Sequence, residues 1–145
     1  MPWVIAVILA SFFANRSGVL SLTLVDRVSY SVCAFLAIAG IVVLGLGLKA
    51  CPLKVISGRE RSALVTHGIY SYIRNPLCLS CILLSFSAAI GFKSAAGLVV
   101  AVLSLIAAYL HALLWEEREL ERRFGSEYSE YKRKVGMFIP RIPSI

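Results

Sequence analysis

The chain has 145 residues, 59% of them apolar, and a mean hydropathy of +0.81, more apolar and less charged than an ordinary soluble domain. A soluble core of this length has no room for so many uninterrupted apolar residues, so the expected class is an all-α, multi-pass integral membrane protein, one domain over residues 1–145. The net charge of +7 invites a nucleic-acid reading, but the basic residues gather in loops beside apolar spans, where they mark the cytoplasmic side and meet anionic lipid. The bilayer is the expected partner and nucleic acid is not.

The first apolar run is Pro2 to Ala14, short for a span of about 20 residues. Asn15-Arg16-Ser17-Gly18 interrupts it, and Val19 to Val25 resumes the apolar character. A signal peptide is the rival reading, but no Lys or Arg precedes Trp3 to form its positive leading region. A short or tilted span near 2–25 is therefore expected. The second span, near 28–48, contains no charge, and Lys49, Pro52 and Lys54 close it. The third runs over about 76–90. After a break at Gly91-Phe92-Lys93, the fourth runs over about 95–115, with Tyr109 and Trp115 suited to a membrane–water interface.

Lys49, Lys54, Arg59, Arg61 and Arg74 lie in the loop after the second span. Arg118, Arg122, Arg123, Lys132, Arg133, Lys134 and Arg141 lie in the tail, and only Lys93 lies in the turn between the third and fourth spans. The positive-inside rule places the middle loop and the tail 116–145 in the cytoplasm, with both termini inside. A bacterial inner membrane is expected rather than the endoplasmic reticulum. In the tail, Gly125 is expected to end the helix that begins in the fourth span. Ser126 is expected to cap a new short helix with Glu127 near its positive end. Tyr128, Tyr131 and Val135 form one apolar stripe on it, Lys132, Arg133 and Lys134 face water or headgroups, and Gly136 and Pro140 end it.

An apolar hairpin that crosses the membrane and returns brings two distant clusters to one face: Arg74-Asn75-Pro76 and Glu116-Glu117. Asn75-Pro76 reads first as a helix start, with Asn as cap and Pro at the first helical position. Such a start also offers free N–H groups to an anion, and Arg74 adds a forked donor beside it. Glu116 and Glu117 have no basic neighbour at helical spacing, unlike Glu119, which has Arg122 and Arg123. The acidic pair is either a solvated helix end or the partner of a positive or hydroxyl group from elsewhere. Cys78 and Cys81 form a single CxxC and read as small packing residues, as do Cys33 and Cys51, so no metal is expected. Gly40, Gly45 and Gly47 read as points of close helix approach. Gly68 marks a tight turn, Tyr70 and Tyr72 suit an interface, His67 is either a solvated loop residue or a ligand contact, and His111 is a packed or hydrogen-bonded residue.

The ordered set Leu64-Val65-Thr66-His67-Gly68-Ile69-Tyr70, Arg74-Asn75-Pro76, a helical hairpin, Glu116-Glu117-Arg118-Glu119-Leu120, Phe124-Gly125, Glu127-Tyr128, Tyr131 and Phe138-Ile139-Pro140 resembles the isoprenylcysteine carboxyl methyltransferase and phospholipid methyltransferase families. The resemblance covers about Leu64 to Ile142. It implies S-adenosylmethionine as methyl donor, in a pocket at the cytoplasmic face lined by Leu64, Val65, His67, Gly68, Tyr70, Arg74, Asn75, Pro76, Glu116 and Glu117. Arg74 and Glu117 are its expected catalytic pair. It also implies a lipophilic acceptor, an isoprenylcysteine-type carboxylate or a lipid amine, and Gly45-Leu46-Gly47 corresponds to a Gly-x-Gly of the phospholipid enzymes. The sequence departs from the pattern where Asn75 stands for the His usual in the isoprenylcysteine enzymes, and where Cys78 and Ser80 replace the usual Tyr and Gly. These departures keep open a non-catalytic relative that binds lipid or a partner. A small exporter is a further alternative, although the spans hold no acidic residue of the kind a proton-coupled exporter uses.

Overall fold

A computed structural model describes residue 9 and residues 12–13, 26–51 and 64–141 of the chain. The regular elements among the described residues are helices. Helix α1 spans Asp26–Ala50, a 3₁₀ turn Gly68–Ser71, α2 Pro76–Gly91 and α3 Ala95–His111. A π-type turn, Ala112–Glu116, leads from α3 into α4, Glu117–Phe124, and α5 follows at Ser126–Lys134. The three expected spans within the described residues therefore appear as helices, close to their expected limits. The first expected span, near 2–25, lies outside them except at Leu9, Phe12 and Phe13.

Two stretches are long and apolar enough to cross a membrane, Arg27–Ala50 and Ala95–Phe124, while Pro76–Gly91 is a shorter apolar helix. Only 11% and 17% of their most apolar windows are buried by the protein itself. Val28, Phe35, Ile38, Val99, Leu103 and Ile106 point outward. A helix that served a soluble core would hide these side chains, and their exposure along whole helices is the pattern of a lipid-facing surface. The chain is a membrane protein.

The residues form two compact units, Met1–Val42 with Ser80–Tyr109, and Val43–Leu79 with Leu110–Ile145. In the first, small residues set the packing. Gly40 lies against Leu83 and Leu84, and a Cβ there would come within 2.9 Å of Leu84 Cγ. Ser87 Oγ donates to the Cys33 carbonyl at 2.9 Å, so a hydroxyl in an apolar setting is satisfied across two helices. Ser94 caps α3, its Oγ accepting from Gly97 N–H at 3.0 Å. Lys93 occupies the left-handed region (φ +50°) in the turn between α2 and α3 and sets its ammonium over the Tyr30 ring.

The second unit gathers the chain around the start of α2. Gly47 packs against Leu77 and Pro76, as expected of a small residue, whereas among the described residues nothing lies within 4 Å of where a Cβ on Gly45 would stand. Gly125 (φ +53°, ψ −122°) ends α4 in a conformation other residues resist, and it is also the residue before α5. Ser126 is therefore the first residue of α5 and not its cap: the bend at Gly125 already starts the helix, and no side chain caps it.

Candidate functional site

Arg74 and Glu117, 43 positions apart, meet in the second unit. Arg74 Nη1 donates to Glu117 Oε1 at 2.6 Å. Glu117 is 2% exposed, and the Arg74 side chain is 9% exposed. Burying either charge alone is costly, so each requires the other. A second cation arrives from α5: Lys132 Nζ lies 2.6 Å from Glu117 Oε2 and 3.0 Å from Glu121 Oε1. Oε2 and the Lys132 ammonium thus form a second ion pair on the same carboxylate. Tyr128, 2% exposed, places its hydroxyl 3.5 Å from Arg74 Nη1. Two acids and two bases thus balance in one knot.

The backbone holds the knot in register. Arg74 N–H donates to the Gly136 carbonyl at 2.9 Å, and Asn75 N–H to the Met137 carbonyl at 3.1 Å. Ile73 and Gly136 form a parallel bridge. Gly136 has no room for a side chain, since a Cβ there would run into the Ile139 carbonyl oxygen. Tyr131 donates its hydroxyl to the Tyr70 carbonyl at 2.7 Å and so ties the 3₁₀ turn to α5. Burial raises the phenol pKa of Tyr70, Tyr128 and Tyr131; Cys51 adds to the effect at Tyr70, the Glu117 charge at Tyr128, and Tyr128 at Tyr131. The contacts with Glu117 and Glu121 raise that of Lys132.

The sequence-expected residues divide into groups. Arg74 and Glu117 form the knot. Asn75 precedes α2 and its carbonyl accepts from Leu79 N–H, as a cap residue's does, while Pro76 is buried as the first helical residue. Gly68 turns with φ +63°. Tyr70 is half-buried beside the knot through Tyr131. Leu64 and Val65 are half-buried and His67 is exposed. Among the described residues, no hydrogen bond or ion pair joins these three to Arg74 or Glu117.

Glu116 and Glu117 part company. The π turn adds a residue to the helical circuit, so residues five apart share a face. His111 Nδ1 consequently lies 3.6 Å from Glu116 Oε1, and the His111 ring stacks on Trp115. An α-helical register offers Glu116 Ala112, Leu113, Glu119 and Leu120, none of them basic, so no partner was legible on its own helix. Glu116 is exposed and borders an open groove of about 510 Å³ with Leu114, Trp115, Arg118, Glu119 and Arg122.

Lys132 corrects the expectation that it faces water: α5 folds back on α4 and delivers it to Glu117. Tyr128 was legible as part of an apolar stripe but not as a neighbour of Arg74. The available signal was Glu117 itself, an acid at an apolar boundary with no base at helical spacing.

The phospholipid methyltransferase family matches residues 27–127, which include Arg74 and Glu117. The chain is similar to methanethiol S-methyltransferase 2 of Bradyrhizobium diazoefficiens, at 39% identity over 74 residues, 51% of this chain and 27% of that protein. It is also similar to the cobalt-zinc-cadmium resistance protein CzcN of Cupriavidus metallidurans, at 36% identity over 109 residues, 74% of this chain and 49% of that protein. The matched stretch thus spans about half the length of these relatives or less. No solved structure matches the chain. The match over 27–127 covers more than half of its residues, and the chain belongs to the phospholipid methyltransferase family.

Proposed function

We propose that the chain transfers a methyl group from S-adenosylmethionine to a lipophilic acceptor at the cytoplasmic face of a bacterial inner membrane, with four spans and both termini inside. The observation that carries this reading is the buried Arg74–Glu117 pair, made by residues 43 apart and lying within the family match. One of its atoms has spare bonding capacity: Arg74 Nε is buried without a hydrogen-bond partner, while Glu117 Oε2 is met by Lys132. A ligand that carries an ammonium, a carboxylate and ribose hydroxyls fits that set. Arg74 holds the carboxylate, Glu117 the ammonium, and the exposed Glu116 reaches a hydroxyl. Leu64, Val65, His67, Gly68, Tyr70, Asn75 and Pro76 complete the wall.

When bound, the donor supplies an electrophilic methyl on a sulfonium. The chain's own residues then orient it and exclude water, which accounts for much of the rate in a displacement of this kind. A carboxylate acceptor is ionised at neutral pH and needs no base, whereas an amine must first lose a proton. The relative named a methanethiol S-methyltransferase widens the acceptor class to thiols.

The second reading is a family member that keeps the knot without turnover. The Cys78 and Ser80 departures favour it, as does the likeness to a cobalt-zinc-cadmium resistance protein. Transfer of labelled methyl from S-adenosylmethionine into an acceptor extract separates the readings. The purified chain is expected to label an extractable acceptor, and Glu117→Gln to reduce labelling at least tenfold. Labelling that is absent from the folded wild-type chain, or unchanged in both Glu117→Gln and Arg74→Ala, overturns the enzyme reading.

A further inference from the structure

The tail presents cations and one large apolar side chain that neither the knot nor the core uses. Arg133 and Lys134, in the last turn of α5, are exposed. Arg141 returns to the same end, its Nη1 donating to the Arg133 carbonyl at 2.7 Å and reaching the Lys132 carbonyl at 3.5 Å. The acids of α5, Glu127 and Glu130, lie in its first half, so charge is segregated along the helix. Between Gly136 and Arg141, Ile139 stands 79% exposed.

The backbone fixes the level at which these residues sit. Asn75 N–H holds the Met137 carbonyl, and the next residue, Pro76, opens the apolar helix α2. Ile139 is two residues beyond Met137, so at most about 7 Å of chain separates it from the level where an apolar helix begins. A helix end that attracts cations through its dipole accounts for Arg141. It does not account for an isoleucine turned outward at that level.

We propose that the end of α5 and the segment 136–141 form a surface that docks on anionic lipid. Ile139 enters the interface, and Arg133, Lys134 and Arg141 meet headgroup phosphates. Apolar side chains flanked by basic ones bind the headgroup boundary in this way, and each cation near an anionic surface strengthens binding about fivefold. This goes beyond the methyl-transfer reading and does not depend on it. The docked segment is joined to Arg74 and Asn75 by backbone hydrogen bonds, which fix its position beside the start of α2.

The test is hydrogen exchange of the tail peptide in the full-length chain, held in nanodiscs of phosphatidylcholine alone or with phosphatidylglycerol added. Amides of residues 134–139 are expected to exchange at least about fivefold more slowly in the anionic discs. That difference collapses at high salt, which screens exposed charge. The double variant Arg133→Gln, Lys134→Gln removes most of it, and Ile139→Ser weakens protection in both disc types, while exchange around Arg74 and Glu117 stays unchanged and reports an intact fold. Equal exchange in the two disc types overturns the proposal. So does equal protection in zwitterionic discs by added inorganic phosphate, which assigns the cations to a free anion.

Discussion

Glu117 opens α4 where the apolar run of α3 ends, yet it is 2% exposed and its charge has to be met from elsewhere. Arg74 meets one carboxylate oxygen from inside, and Lys132 meets the other from the surface. The two cations differ in weight. Removing the partner of a buried charge costs about 3–5 kcal/mol, so Arg74→Ala is expected to lower the melting temperature in detergent sharply. Lys132 is 37% exposed, and Lys132→Gln, which leaves Glu117 with Arg74, is expected to cost no more than about 1 kcal/mol. Equal losses in the two melting curves contradict this ranking.

The same residues set a pH dependence. Burial raises Tyr70, Tyr128 and Tyr131 above 10.0, and the carboxylates raise Lys132 above 10.5. In each case the folded chain holds the proton more tightly than the unfolded chain. Their contribution is complete below the unfolded values and is lost as pH rises through the folded ones. Thermal stability is expected to be insensitive to these groups from about pH 7 to 9 and to fall above about pH 10. A melting temperature that holds through that alkaline range contradicts the assignment.

Among the elements, the turn after α5 shows how little freedom the knot has. Gly136 gives its carbonyl to Arg74 and tolerates no Cβ, because the Ile139 carbonyl occupies that space. Gly136→Ala forces the segment open at a cost of about 1–3 kcal/mol. It is expected to speed hydrogen exchange at the Arg74 and Asn75 amides, and exchange no faster than in the wild-type chain contradicts the assignment. The hairpin, the breaks at 91–93 and at Gly125, and the meeting of Arg74 with Glu117 were legible, because uninterrupted apolar runs and an acidic pair at their edge with no base at helical spacing leave few alternatives. The π turn was not, since Ala112-Leu113-Leu114-Trp115-Glu116 suits an α-helix equally well. Without it, Glu116 and Glu117 read as a pair, whereas the structure gives them different neighbours. Lys132 was misread because local pattern reports the helix a residue lies on and not the helix that folds back beneath it.

For the whole molecule, apolar helices with outward-facing side chains carry a polar knot assembled from distant segments, inside the region matched by the phospholipid methyltransferase family. Membrane character followed from composition and charge segregation, and the family from the order of short motifs. The acceptor did not, because Cys78 and Ser80 stand where the family's pattern has other residues. The central claim is that the Arg74–Glu117 knot holds the methyl donor. The most direct measurement is calorimetric titration of the purified chain in detergent with S-adenosylhomocysteine, alongside Glu117→Gln and Lys132→Gln, with helical content checked for each. Saturable binding by the wild-type chain, at least tenfold weaker in folded Glu117→Gln and retained in Lys132→Gln, is the predicted result. No binding by the folded wild-type chain, or equal binding by folded Glu117→Gln, contradicts the claim.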